Sequence, residues 1–228
     1  LILHVGYMKK YDNGSIKLKK IIEKIEKNGK KPVLVNASCF MGDSYCNPMS
    51  SSKPKSLKKL SISPNEQMPN WIHKDLLKGY ENYLNVFTHL IDFMDYLFDK
   101  PLSLIYPKIN LDGHGITLFE SNGIPIEIST MKCDTGDWIE MIDIIYDDQI
   151  VSIEFPPALL KNVPARISIK SGSKDLVEKN IKPEWSWAFF NQAKFFINLC
   201  KSPVDNFNNI SSAVNSIKIV EEIFKHDS

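Results

Sequence analysis

Asn85, His89 and Asp92 stand at i, i+4 and i+7 in a stretch, Tyr80 to Lys100, whose other positions are largely apolar. Tyr83, Leu84, Phe87, Leu90, Ile91, Met94, Leu97 and Phe98 recur every three or four residues, as a helix buried around most of its circumference requires. An amide, an imidazole and a carboxylate in register on the remaining stripe need polar partners, water or a ligand, because leaving such groups bare costs about 1–3 kcal/mol each. Side chains of these types exchange hydrogen bonds and, through the imidazole, protons, so chemistry can sit on this face. The competing reading makes His89 an ordinary core histidine, hydrogen-bonded for structure and capped by Asp92.

The rest of the chain must supply what positions that stripe. Its 228 residues, 43% hydrophobic and 24% charged, suffice for one large globular domain with a real core. We read residues 1–228 as a single α+β domain. A formal charge of +1 argues against a nucleic-acid partner, which calls for a large basic excess. Lysines cluster at Lys17 to Lys31, but there they fall opposite Ile16, Ile21, Ile22 and Ile25 and read as a solvated helix face. Cys39, Cys46, Cys133 and Cys200 show neither paired metal-ligand spacing nor a dense disulfide framework, so no metal site is expected. No run approaches the length of a membrane span, and the opening LILHVGYM lacks the features of a signal peptide. A cytoplasmic protein without a membrane partner is the expectation. The chain begins at Leu1 rather than Met, directly in a strand-like run, which suggests a piece of a longer protein.

In order, Leu1 to Met8 reads as a strand with Lys9, Lys10 and Tyr11 at its exit, where side chains can point into a cleft. A helix at about Ser15 to Lys27 ends at Asn28-Gly29, and Pro32 to Cys39 reads as a second strand. Residues 41–70 are rich in Ser, Pro, Asn and Lys and read as a long irregular excursion, of the kind that often forms binding lids. After the striped helix come short strands at Leu102 to Ile109, Gly115 to Glu120, Gly123 to Met131, Trp138 to Tyr146, Gln149 to Phe155, Ala165 to Lys170 and Asp175 to Ile181. Ser121-Asn122, Asp147-Asp148 and Ser171-Gly172-Ser173 link them as hairpins, which makes the sheet mostly antiparallel. Alternation of Ile126 and Ile128 with Glu127 and Ser129 gives it one wet and one buried face. Two amphipathic helices, Glu184 to Cys200 and about Asn208 to Lys225, are available to cover the buried face. No Gly-rich phosphate loop is present in these residues.

Three stretches carry a family resemblance: VGYMKKYD (Val5 to Asp12), NVFTHLIDFMDYLF (Asn85 to Phe98), and Trp187 to Glu222 with Phe190, Gln192, Phe196, Pro203, Ser216, Val220 and Glu221. In order and spacing they resemble the C-terminal domain of the Gfo/Idh/MocA family of NAD(P)-dependent oxidoreductases. The resemblance implies an open, mostly antiparallel sheet with helices packed on one face. It also implies a Rossmann domain that binds NAD or NADP and precedes this chain, so that no cofactor-binding residue is expected here. The implied chemistry is hydride transfer between nicotinamide and a hydroxyl-bearing carbon of a sugar, inositol or nucleotide-linked sugar. By motif position the histidine that acts as acid/base or hydroxyl clamp is His89, and Asn85, Lys9, Lys10 and Asp92 become substrate-binding candidates. Pairing of the sheet face into a homodimer or homotetramer is implied as well.

The departures bear on mechanism. Asn85 stands where the family often has Asp, and an amide cannot accept a proton as a carboxylate does. Lys9 and Lys10 stand where arginines are common, and lysine lacks the two-pronged grip on carboxylate or phosphate. The family's Glu-Lys-Pro lysine would lie before Leu1, which leaves His89 as the titrating group of this face. The other reading is a non-catalytic sheet domain for dimerisation or ligand binding. A third feature, the basic run Lys53 to Lys59, could hold a nucleotide diphosphate or simply be solvated.

Overall fold

Asp12 fixes where the first helix begins. In the computed structural model, which describes residues 2–42, 69–133, 137–202 and 210–226, its carboxylate accepts from the Gly14 amide at 2.7 Å. Helix α1 (Asn13–Lys27) therefore starts two residues before the position that apolar periodicity predicts. The same Asp12 oxygen accepts from the Ala165 amide at 3.0 Å, which ties the helix start to a loop late in the chain. Only glycine fits beside that junction, because a Cβ on Gly14 would lie 2.4 Å from the Ala165 carbonyl oxygen. Leu18 and Ile22 are buried while Lys17, Lys20, Lys24 and Lys27 are exposed, as the spacing predicts.

The run before Asp12 is not the strand that its composition predicts. Over residues 2–8 it joins no sheet: the Tyr7 amide bonds to the Val5 carbonyl at 3.0 Å, and Lys9–Tyr11 closes a short 3-10 helix. Apolar residues favour a strand only where a neighbouring edge offers backbone partners, and here side chains take the edge's place. The His4 ring lies 5.7 Å from Tyr11 and Phe196 and 5.9 Å from Phe195.

The sheet has eight strands: β1 (Leu34–Met41), β2 (Ser103–Ile109), β3 (Gly115–Ser121), β4 (Ile124–Lys132), β5 (Ile139–Ile145), β6 (Gln149–Glu154), β7 (Arg166–Ser171) and β8 (Val177–Ile181). Their spatial order is β2-β3-β4-β1-β5-β6-β7-β8. Only the β1–β4 pair is parallel, so the sheet is mixed and mostly antiparallel, as expected. The β3–β4 turn sits at Asn122 and Gly123, both with positive φ (54° and 78°), one residue beyond the expected pair. That geometry matches the twist of the flanking strands.

The striped segment is one helical rod in three parts: α2 (Leu77–Asn82), a π turn (Tyr83–Phe87) and α3 (Thr88–Phe98). It ends at Asp99, in the left-handed conformation at φ 52°. This rod, α1 and the last helix, α5 (Ile210–Lys225), bury Phe87, Met94, Leu18, Ile22, Val220 and Phe224 against Val35, Ile126, Ile142 and Ile153 of the sheet. Ile126 and Ile128 point inward and Glu127 and Ser129 outward, as their alternation predicts.

Helix α4 (Ala188–Lys201) departs from expectation. It begins four residues late and does not cover the sheet. It lies instead against the Lys9–Tyr11 turn, where the Asn191 amide donates to the Tyr11 carbonyl at 2.9 Å. Phe190 and Ile197, expected inside, are 62% and 52% exposed, because the rod through Leu77–Phe98 already occupies the sheet. Most of the excursion expected at 41–70, with Lys53 to Lys59, and the Pro203 stop lie outside the described residues. Among the described residues no helix is long and apolar enough to cross a membrane.

Candidate active site

Lys9 and Lys10 are adjacent in sequence and reach different carboxylates. The Lys9 ammonium donates to Glu140 Oε2 at 2.6 Å, in a pair whose side chains are 8% and 1% exposed. Trp138 Nε1 donates to the same oxygen at 3.3 Å, and the ammonium lies 4.6 Å from the centre of the Phe155 ring. A buried pair of this kind is held by geometry and extra hydrogen bonds rather than by charge alone. Glu140 comes from β5, at an inward register position shared with Ile142 and Ile144.

His89 stands beside this pair on α3. Its ring meets the Tyr7 ring edge-on at 5.3 Å, and its Nδ1 is buried without a hydrogen-bond partner among the described residues. Burial, and then the Lys9 charge, pull the imidazole down to a pKa of about 3. At neutral pH the ring is therefore uncharged. Tyr7 is held from beneath by a hydrogen bond shared between its hydroxyl and Thr88 Oγ1 at 3.0 Å. Asn85 lies one turn earlier, exposed, inside the π turn. Such a widened turn re-aims side chains and often occurs where a ligand is met.

Lys9, Asn85, His89 and Glu140 line a pocket of about 200 Å³ whose other walls include Met8, Trp138, Leu159 and Phe189. One polar side faces one apolar side. That suits a small ring carrying hydroxyls, with neutral His89 and Asn85 to exchange hydrogen bonds and no free net charge to demand an anion.

Asp92 and Lys10 take no part in the lining. Asp92 is 2% exposed, and its Oδ1 accepts from Lys10 Nζ at 3.3 Å and from Ser212 Oγ of α5 at 2.9 Å. Burial pushes its pKa up, and Lys10 and Ser212 pull it back. No hydrogen bond joins Asp92 to His89, so the carboxylate does not cap the imidazole. The structure thus brings His89, Asn85 and Lys9 together and sets Asp92 with Lys10 apart, against α5. Glu140, Trp138, Leu159 and Phe189 did not emerge from sequence reasoning. Glu140 had a signal: a charged residue in the buried phase of the alternation Glu140, Ile142, Ile144. Among the described residues no group of three or more His, Cys, Asp or Glu is arranged to hold a metal ion.

No protein-family model matches the sequence, and no curated protein matches it closely enough to count as a relative. Solved structures do match. A dehydrogenase (MviM) from Clostridium difficile superimposes with a TM-score of 0.61 at 12% identity, over 97% of this chain and 61% of that one. KijD10, a 3-ketoreductase from Actinomadura kijaniata in complex with NADP and TDP-benzene, gives 0.66 at 9% identity, over 99% and 62%. UDP-N-acetylglucosamine 3-dehydrogenase GnnA from Acidithiobacillus ferrooxidans gives 0.58 at 10% identity, over 99% and 61%. These neighbours are Gfo/Idh/MocA-type NAD(P)-dependent oxidoreductases, so the resemblance read from the sequence holds at the level of the fold. The chain spans about three fifths of the length of the structures it matches.

Proposed function

We propose that this chain is the substrate-binding half of an NAD(P)-dependent oxidoreductase that moves a hydride between nicotinamide and a hydroxyl-bearing carbon of a sugar, inositol or nucleotide-linked sugar. The observation that carries the reading is the buried, unpartnered Nδ1 of His89 on a pocket that also holds the Lys9–Glu140 pair. The neighbours named above, dehydrogenases and a ketoreductase, support the reaction class.

NAD or NADP would be held mainly by residues outside this sequence, and the hydride chemistry is the cofactor's own. The exposed apolar side chains Phe190 and Ile197 of α4 fit burial against such a neighbouring domain. What this chain's residues do is bind and orient. The His89 ring offers a hydrogen bond to a ring hydroxyl, Asn85 holds a second polar group at the mouth, and Leu159 and Phe189 shed water from the apolar side. Of the two roles that the resemblance implies for His89, the electrostatics favour the clamp. An imidazole with a pKa near 3 hands a proton back at once at neutral pH, whereas a general base works best with a pKa near the working pH.

The test uses a protein that carries these residues together with its dinucleotide domain. His89→Ala should lower kcat/KM at least about tenfold, and unchanged turnover would sink the assignment. Exposed apolar residues on the outer face of the sheet, Ile116, Leu118, Met131 and Ile139, favour a second reading, a sheet domain for homodimer or homotetramer assembly. A monomeric mass in solution would count against that pairing.

A further inference from the structure

Glu140 puts a charge where packing alone does not ask for one. Its side chain is 1% exposed, in the inward register of β5 that Ile142 and Ile144 share, across from Cys39 of β1. A lysine–carboxylate pair in such surroundings stabilises a fold no better than a well-packed apolar pair of similar volume, so stability does not account for Lys9 and Glu140.

The hydrogen bonds to Glu140 are lopsided. Lys9 Nζ at 2.6 Å and Trp138 Nε1 at 3.3 Å both donate to Oε2, and among the described residues no donor reaches Oε1. An ionised carboxylate accepts through both oxygens, and one left unmet at this depth is costly unless water or a ligand supplies a proton to share. Glu140 borders the pocket of about 200 Å³ together with His89 and Asn85. A donor can arrive from there.

The charges around Lys9 decide which ligands can bring one. Behind the pocket Lys9 shares a small hollow with Asp12, whose carboxylate accepts from the Gly14 and Ala165 amides. Lys10 is turned to Asp92, and the His89 ring is uncharged at neutral pH. One ammonium is thus set among two carboxylates, and no positive charge is left over for an anion. A hydroxyl meets Oε1 with its proton, whereas a ligand carboxylate brings only acceptors and a like charge.

We propose that Glu140 is a specificity-determining residue: its Oε1 accepts a hydrogen bond from a ring substituent of a neutral ligand, and its charge, by occupying Lys9, turns away ligands with a carboxylate at that position. The pocket then selects neutral sugars over sugar acids. This rests on the substrate reading above for the ring and its hydroxyls, and is independent of the hydride step.

The test is a calorimetric titration of the protein with its dinucleotide domain, using pairs that differ only in a hydroxymethyl or a carboxylate group: glucose and glucuronate, galactose and galacturonate, each free and as its UDP conjugate. The unmodified protein should bind the neutral member of at least one pair at least about tenfold more tightly than its acid. Glu140→Gln keeps an amide oxygen for Lys9 and Trp138, presents an NH2 in place of Oε1 and releases the Lys9 charge. It should move the ratio of the two affinities at least about tenfold toward the acid. Lys9→Met/Glu140→Gln removes that charge and should cancel the gain. A purely structural Glu140 would weaken both members of a pair alike, so the ratio is the readout. Tighter binding of the acid by the unmodified protein overturns the proposal, as does binding of no member of the panel at millimolar concentration. A ratio unmoved in Glu140→Gln, or acid binding kept by the double variant, overturns it too. If Glu140→Gln does not fold, the preference of the unmodified protein decides alone. The two readings fail separately. The expected shift of ratio in a protein that oxidises none of these sugars removes the hydride reading alone, and a turnover loss in His89→Ala with the ratio unmoved in Glu140→Gln removes only the role of Glu140.

Discussion

On one side of the rod through Leu77–Phe98, Lys9 meets Glu140; on the other, Lys10 meets Asp92. Both pairs join a lysine of the same short turn to a buried carboxylate, and they are built for different ends. Glu140 is reached from the sheet, Lys9 and Trp138 both donate to its Oε2, and the pair borders a pocket with an imidazole whose Nδ1 has no partner among the described residues. Asp92 is reached from two helices, and it receives Lys10 and Ser212 at longer distances, 3.3 and 2.9 Å. The first pair sets the charge beside the His89 pocket, and the second fastens the turn and α5 to α3. A buried carboxylate beside a lysine is therefore not in itself a functional sign; the unpartnered group next to it is what separates the two.

Single substitutions sharpen that contrast. The largest expected loss is for Glu140→Ala, which leaves the Lys9 ammonium buried and unpaired and should cost about 3–5 kcal/mol in a denaturant titration. The double variant Lys9→Met/Glu140→Leu removes both charges and should recover most of that stability while losing ligand binding. Stability that stays low, or ligand binding that persists, would break the comparison. Asp92→Ala should cost less, about 1–3 kcal/mol, and leave affinity for a pocket ligand unchanged. Equal damage to binding would show that the two sides are coupled.

Next in size is a pH effect. The folded-state pKa of His89, about 3, lies below the usual imidazole value of 6.5, so above pH 6.5 the ring is neutral in both the folded and unfolded states. As pH falls below 6.5 the unfolded chain takes up a proton that the folded chain refuses, and stability declines down to about pH 3. His89→Gln should flatten that slope, and NMR titration should show no ring shift for His89 between about pH 5 and 8. The smallest effect belongs to Asp95, whose carboxyl is pushed by burial to about 6 from 3.8 although it accepts from the Leu102 amide at 3.3 Å. A raised acid loses stability as pH climbs from 3.8 to its folded pKa of about 6, so Asp95→Asn should gain slightly at pH 7 and nothing below pH 3.8.

Periodicity made most of the architecture legible. The alternation of Ile126 and Ile128 with Glu127 and Ser129 predicts β4 and its faces, and the three- and four-residue recurrence from Tyr83 to Phe98 predicts the buried rod. It failed over residues 2–8, which pair with no strand, and at α4, which found the sheet face already taken. A local pattern states what a segment can bury, and the competition for that place is decided elsewhere in the chain.

The site divides in the same way. Residue types and helical spacing alone marked His89 and Asn85 as polar groups on an apolar rod and placed Lys9 and Lys10 at the entrance. Tertiary structure alone assigned Lys9 to Glu140, 131 residues away, and Lys10 to Asp92, 82 residues away. Helical spacing is local and can be read along one segment, whereas partners, burial and the depressed basicity of His89 depend on which strands and helices close around it.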